Sequence, residues 1–208
     1  MEYNKIHDIT LNIENSMLSF PGDTVPKIEK IKEASKDNYN LSKMRVSVHV
    51  GTHVDAPSHF IVDGKNIEEI PPERFLGQVQ VVEIKDKNEI TKRELENINI
   101  KSDKILFKTK NSDYLKEENF NDNFVYLTYE GAKYLLNKEI KLIGIDYLTI
   151  EELGAGSFSV HKLLLGNEVL VIEAIDLTGI EEGMYYLHAL PLKLKGCEAS
   201  PIRALLFE

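Results

Sequence analysis

The sequence predicts a single mixed α/β domain, and three observations carry that expectation. Short apolar or alternating runs of strand length recur along the chain, segments with helical spacing fall between them, and no Pro-, Gly- or Ser-rich low-complexity stretch divides it. With 208 residues, 42% of them hydrophobic, the chain is large enough to bury one ordinary core, and residues 1–208 read as one domain without internal repeats.

The elements follow in order. His7 to Ile13 reads as a short strand, and Phe20-Pro21-Gly22-Asp23 as a turn. From Lys43 to Val54 (KMRVSVHVGTHV), Met44, Val46, Val48 and Val50 alternate with Arg45, Ser47, His49 and Gly51. That is the period of a half-buried strand, and Pro57, which has no N–H to give a ladder, should end it. Val79 to Ile84 is a strand. Thr91 and Glu94 stand at capping-box spacing and open a short helix to Ile98. Lys104 to Thr109 is a strand, and Thr128 to Asn137 a helix carrying Ala132, Leu135 and Leu136 on one face. Leu142 to Ile145 is a short buried strand. Ser159 to Leu165 reads as a helix capped by Ser157 or Ser159, with Gly166 near its stop. Val169 to Ile175, Tyr185 to Leu194 and Pro201 to Phe207 complete the strands.

The net charge of -9 argues against general nucleic-acid binding, which needs clustered Lys and Arg to neutralise phosphates. The Lys-rich segments, Lys27 to Lys36 and Lys85 to Lys92, are interleaved with acidic residues and read as solvated faces. The single cysteine, Cys197, allows no internal disulfide and fits a reducing compartment. The opening MEYNKIHDIT has no apolar run, and no stretch approaches the roughly 20 apolar residues of a membrane helix. A cytoplasmic protein without membrane contact is therefore expected.

Chemistry concentrates in SVHVGTHVDAPSHF, Ser47 to Phe60, which holds half of the six histidines. On an extended chain His49, Gly51, His53 and Asp55 share one face, with His59 just beyond Pro57. A lone histidine is most often a core or surface residue, but three with a carboxylate in one register make a set of nitrogen and oxygen ligands suited to zinc, manganese or iron. Glu173 interrupts the apolar run VLVIEAI. It either faces solvent on an edge strand or meets a cation, since a buried carboxylate is seldom unpaired. His161 stands twelve residues upstream, at the start of a helix that should fold back onto this strand. His7 and His188 read as structural or surface residues. Cys197, in LKGCEASP, has no histidine placed to activate it. Arg203 is expected to pair with a carboxylate, within the fold or across a subunit contact.

His49-x-Gly51-Thr52-His53-x-Asp55-x-Pro57-x-His59 resembles the signature of the metal-dependent cyclase family, which includes bacterial kynurenine formamidases and isatin hydrolases. The resemblance extends over Asp8-Ile9-Thr10, Phe20-Pro21-Gly22-Asp23-Thr24, Gly144-Ile145-Asp146, His161 with Leu164, Leu165 and Glu173, Ala189 to Leu192, and Ser200 to Ala204, nearly the whole chain. It implies a swivelling β/β/α domain, a barrel-like mixed sheet flanked by helices. It also implies two divalent ions per subunit, zinc or alternatively manganese. His49, His53 and Asp55 would hold the first, Asp55 and Glu173 would bridge, and His161 would hold the second. His59 would be the catalytic proton-transfer residue, and Phe20 would contact substrate. The implied reaction is hydrolysis of a small-molecule amide, N-formylkynurenine to kynurenine and formate, by a homodimer or tetramer. Two departures bear on substrate. Formamidases of this family often carry Trp where this chain has Phe20, and YLTIEE after Asp146 lacks the Ser- and Pro-containing run of close formamidase relatives. Isatin hydrolases, which open a cyclic amide, are the alternative, and a non-catalytic metal-stabilised binding domain is a third reading.

Overall fold

The computed structural model describes residues 5–154 and 156–208. Thirteen strands are assigned among them: β1 (Ile6–Asp8), β2 (Lys27–Lys32), β3 (Leu41–Arg45), β4 (His53–Asp55), β5 (Leu76–Glu83), β6 (Glu89–Ile90), β7 (Lys104–Lys108), β8 (Tyr126–Leu127), β9 (Leu142–Ile145), β10 (Leu170–Glu173), β11 (Gly183–His188), β12 (Ala199–Pro201) and β13 (Leu205–Phe207). Five short α-helices join them: α1 (Ala34–Asp37), α2 (Lys92–Glu96), α3 (Asn111–Tyr114), α4 (Tyr129–Asn137) and α5 (Ser159–Gly166). Nine strands form one sheet in the order β1-β13-β11-β5-β7-β9-β10-β4-β12. Its centre, β5 to β10, is parallel, as helical crossovers require, and the flanks are antiparallel. The sheet curls into a half-barrel. Thr10, just past edge strand β1, bridges to Ile175 just past β10, and Asp176 N–H donates to the Ile9 carbonyl at 3.0 Å.

The alternation of side chains divides the core between the two faces. Ile9, Val54, Val81, Leu106, Leu142 and Ile172 fill the inside of the curl. Ile105, Phe107, Ile143 and Val171 point the other way, against Leu95 of α2, Leu135 of α4 and Leu164 of α5. Gly144 sits where the strands press closest, since a Cβ there would run into Leu106. The site lies on the helix-side face. β4 runs antiparallel to β10 with Glu173 opposite His53 and Val171 opposite Asp55, so His53, Asp55 and Glu173 share that face with Val171.

Several elements differ from the sequence expectation. The strand over 43–54 is two elements: β3 ends at Arg45, the chain turns through Val48–Val50, and β4 begins only at His53. Gly51, at φ +57°, breaks the extension. The alternating valines mimic a strand, but β3 pairs with β2 in a separate exposed hairpin, with α1 at its tip. Glu173 is not on an edge strand, because β10 lies between β9 and β4. Ala174, at φ +55°, ends β10 one residue later. Neither Ser157 nor Ser159 caps α5; Phe158 holds that position at φ +50° without a side-chain cap bond. Thr91 does cap α2, but the Glu94 carboxylate faces Lys87 at 3.5 Å, and the reciprocal box forms at Asn66 and Glu69. Pro201 to Phe207 is broken into β12 and β13, and the strand from Tyr185 stops at His188. His7 pairs with Glu208 at 2.7 Å, and Arg203 pairs with Asp8 within the fold. No helix among the described residues is long and apolar enough to cross a membrane.

Asp146, just past β9, ties the crossover after β7 to the sheet. Its buried carboxylate accepts from Thr109 N at 2.7 Å, Thr109 Oγ1 at 2.9 Å, Ser112 N at 3.2 Å and Ser112 Oγ at 2.7 Å. Burial pushes its pKa up to about 6 against the pull of these four donors. Asp146→Ala leaves two backbone N–H groups and two hydroxyls without that acceptor. It should lower the unfolding free energy by on the order of 3 kcal/mol in urea denaturation; a loss below about 1 kcal/mol would contradict the tie.

Candidate metal centre

Five segments bring six side chains together. β4 supplies His53 and Asp55, both buried, on one face of the sheet. β10 supplies Glu173 from the neighbouring ladder, with His53 Nε2 3.5 Å from Glu173 Oε2 and 3.5 Å from Asp55 Oδ1. The turn before Gly51 swings His49 back over the strand, so that Nδ1 lies 3.1 Å from Asp55 Oδ1 and Nε2 lies 3.4 Å from Glu198 Oε1. Gly51 is needed at that turn, because its φ is positive and a Cβ would press within 3.3 Å of Met17. The 3-10 turn Pro57–His59 carries His59 under His49, with ring centroids 4.3 Å apart. The first turn of α5 supplies His161, whose Nε2 lies 3.2 Å from Glu173 Oε1. All five residues expected as ligands, with His59, therefore converge. His49 arrives from a turn and not from the strand register.

The orientation of each ring decides what the cluster can do. His53 Nδ1 lies 2.8 Å from the Gly51 carbonyl, which can only accept, so Nδ1 carries the proton and Nε2 turns a lone pair inward. His161 Nδ1 lies 2.7 Å from Glu151 Oε2 in the same way. His49 Nε2, His53 Nε2 and both oxygens of Asp55 are buried without a hydrogen-bond partner. Buried polar atoms are rarely left so. His53 Nε2 faces Asp55 Oδ1 at 3.5 Å, and two groups of three, His49–Asp55–His59 and His53–Asp55–Glu173, each offer ligand atoms within 4.8 Å. Asp55 belongs to both. Imidazole nitrogens with carboxylate oxygens are the donor set of a divalent metal, and the residues fit one.

The electrostatics make the same demand. Burial pushes the His49 imidazole down, but Asp55, Glu173 and Glu198 outweigh it and raise its pKa to about 9. Burial likewise opposes the charged form of His161, and Glu151, Glu173 and Asp55 reverse this and raise it to about 10. The cluster of carboxylates thus requires positive charge, as extra protons on imidazoles or as a cation. Burial alone would raise the Asp55 carboxyl; His49, His53 and His59 hold it well below the usual carboxylate range. His59 differs from the other two, since burial and the neighbouring His49 and His161 lower its pKa despite Asp55 and Glu173.

Glu151 is the functional residue that local pattern did not reveal. Its Oε1 accepts from Val160 N at 3.1 Å and its Oε2 from His161 N at 3.2 Å, so it caps α5 while gripping the His161 ring. One residue earlier, Ile150 N–H donates to Glu173 Oε1 at 2.8 Å. A single short segment therefore holds both His161 and Glu173. The only sequence signal was a helix start with no acidic residue in its first turn, preceded by the pair Glu151-Glu152 across a Gly-rich turn.

Above the cluster opens a cavity of about 300 Å³. His49, His53, His59, His161 and Glu173 line one side of it, and Phe20, Phe60, Phe158 and Leu148 give it apolar walls. Phe20, expected to contact substrate, lines the cavity and packs edge-on against Phe120 with centroids 5.6 Å apart.

With this geometry in place, comparison with known proteins identifies the family. The Cyclase family model matches residues 7–152. The chain belongs to the Cyclase family. It is 32% identical to a kynurenine formamidase from Bacillus anthracis over 99% of both chains, and 33% identical to one from Bacillus cereus over 96% of this chain and 95% of that one. It superimposes on a "predicted metal-dependent hydrolase" from Bacillus stearothermophilus with TM-score 0.85 and 35% identity, covering 98% of each chain. Isatin hydrolase A from Labrenzia aggregata shares the fold, with TM-score 0.85 at 24% identity over 98% of this chain and 93% of that one. Cyclase-family relatives that are hydrolases by name, and a His/Asp/Glu cluster fit for a divalent metal, support an enzyme of hydrolase type.

The Glu151 brace yields a prediction. Glu151→Gln keeps the shape but removes the charge that fixes the His161 ring. Zinc or manganese retention, read by competition with a fluorescent chelator, should weaken by about 10- to 100-fold. An unchanged affinity would show that the brace serves only the helix.

Proposed function

We propose that this Cyclase-family chain is a metal-dependent amide hydrolase, and that its substrate is an aryl formamide, N-formylkynurenine, cleaved to kynurenine and formate. The observation that carries the reading is the buried Asp55 carboxylate, whose oxygens accept no hydrogen bond, with His53 Nε2 3.5 Å away and His49, His53, His59, His161 and Glu173 lining an aromatic-walled cavity beside it. In this reading His49, His53, Asp55, His161 and Glu173 would hold the metal. Zinc is the first choice and manganese the second. When bound, a divalent metal would supply Lewis-acid chemistry here, activating water as a nucleophile and polarising the substrate carbonyl.

The chain's own residues do the rest. The Glu151 and Gly51 contacts keep the ligand nitrogens facing inward, so the site needs no rearrangement to work. His59 stands beside His49 with a lowered pKa and is available as a neutral base. It takes the proton of the attacking water and returns it to the leaving arylamine. Phe20, Phe60 and Phe158 offer ring faces and edges for an aromatic amide and keep water from the far side of the cavity. A purely structural metal site has no use for an uncommitted histidine beside an open cavity, which argues against a non-catalytic domain.

The second reading, opening of a cyclic aryl amide such as isatin, is favoured by Phe20 standing where many formamidases carry Trp. The isatin hydrolase neighbour adds likeness of fold alone.

Hydrolysis of N-formylkynurenine by the purified chain, with zinc or manganese supplied and a chelated control, tests the proposal. Metal-dependent turnover with kcat/KM on the order of 10⁴ M⁻¹s⁻¹ or better is expected. Absence of turnover with metal bound discards this substrate and shifts the assay to isatin. In the same assay His59→Ala should abolish turnover while metal content, measured by mass spectrometry, stays unchanged. Loss of the metal with the side chain would instead make His59 a ligand.

A further inference from the structure

Part of the cavity wall comes from the chain before β2, through residues 18–20, 23 and 24. Its path is set by the turn Phe20-Pro21-Gly22-Asp23, closed by Asp23 N–H donating to the Phe20 carbonyl at 3.0 Å. Pro21 suits the first inner corner of such a turn, and Gly22, at φ +96°, takes the second. A Cβ on Gly22 would meet nothing within 4 Å, so the backbone angle alone asks for glycine there. The Phe20 ring anchors the turn edge-on against Phe120. The first and last residues of the turn, an aromatic ring and a carboxylate, therefore both line the cavity.

Outside the metal cluster the polar side chains lining the cavity are Ser19, Asp23, Thr24, Ser47 and Thr149. Three of them are engaged within the chain. Ser19 Oγ donates to the Met17 carbonyl at 3.2 Å, Ser47 Oγ accepts from His49 N at 3.2 Å, and Thr149 Oγ1 accepts from Glu151 N at 3.3 Å. The Asp23 and Thr24 side chains have no hydrogen bond or ion pair among the described residues. No Lys or Arg stands among the described lining residues, so the one formal charge there, apart from the cluster, is that of Asp23. Asp23 is exposed and its side chain serves no contact of the fold, which leaves its charge free for what enters the cavity. A carboxylate beside apolar ring walls attracts a cation and repels an anion.

We propose that Asp23 is a specificity-determining residue that pairs with a protonated amine carried by the substrate, apart from the amide that reacts. The inference deepens the reading of an aryl-amide hydrolase and rests on it for where the amide lies. With the amide at the cluster and its aryl ring against Phe20, an amine on a short chain from that ring comes within reach of Asp23, at the other end of the same turn. N-formylkynurenine carries such an amine and isatin carries none, so the pairing separates the two substrate classes. The pair forms away from the reacting atoms, so it acts on KM more than on kcat.

Isothermal titration of the zinc-loaded chain with two probes tests the pairing without turnover. Kynuramine is an aryl ketone with an ammonium tail, and 2-aminoacetophenone is the same aryl ketone without that tail. The wild type should bind kynuramine about five- to tenfold more tightly, and the difference should shrink in high salt. Asp23→Asn should bring the two affinities together, and Asp23→Glu should restore most of the preference. The position is exposed, and circular dichroism verifies that both variants remain folded. A wild type that binds the two probes equally, or binds neither, overturns the proposal, as does a preference that survives Asp23→Asn. Hydrolysis separates this outcome from the fate of the reading beneath it. An Asp23-dependent preference without hydrolysis of N-formylkynurenine discards that substrate and keeps the amine pairing. Hydrolysis with the same KM in wild type and Asp23→Asn keeps the formamidase and removes the pairing.

Discussion

The organising constraint is the Asp55 carboxylate. It is fully buried, and neither oxygen receives a hydrogen bond. A charge so placed costs several kcal/mol unless something positive answers it. The surroundings are arranged to supply that answer without neutralising it by ordinary hydrogen bonds. Backbone and second-rank carboxylate contacts claim the outer nitrogens of His53 and His161, which leaves the inner ones facing the acids. The sheet is built for this as much as for its core. β4 is only three residues long, yet it is wedged between β10 and β12, and both its polar side chains are buried.

Around that constraint the division of labour is clear. The parallel strands with their helices provide bulk and rigidity, through apolar side chains sorted to the two faces of the curl. Apart from His53 and Asp55 on β4, the reactive groups come from places where regular structure stops: the turn at Gly51, the 3-10 turn after Pro57, the start of α5 and the last residue of β10. Positive φ at Gly51, Phe158 and Ala174 marks three of these stops. The backbone cost at Phe158 and Ala174 is offset by the packing of the sheet.

Much of this was legible in the sequence, and the omissions have physical causes. His49, His53 and Asp55 announce themselves by type and spacing, and Glu173 by interrupting an apolar run. The mode of assembly was not legible. The valines from Val46 to Val50 repeat with a strand's period, but Gly51 and the separate pairing of β3 with β2 decide the path, and both are tertiary matters. Glu151 escaped because a helix cap is ordinarily sought within a residue or two of the helix start, whereas here it comes from beyond a Gly-rich turn. The partners of His7 and Arg203 lie at the opposite end of the chain, where no local pattern reaches. The barrel-like α/β architecture was recoverable because strand-length apolar runs and a family signature agreed.

The pairing of Glu173 with His53 has a consequence for how the molecule holds together over time. The two residues are 120 positions apart in the chain, joined by the antiparallel ladder of β4 and β10. An ion gripped by both would act as a topological cross-link, closing a loop of more than half the polypeptide. Because an unfolded chain presents no such grip, the free energy of holding the ion is also free energy of folding. Loaded and stripped forms would then differ most in how often β4 peels away from the sheet, so that the same atoms set both the working life of the fold and the readiness of the site.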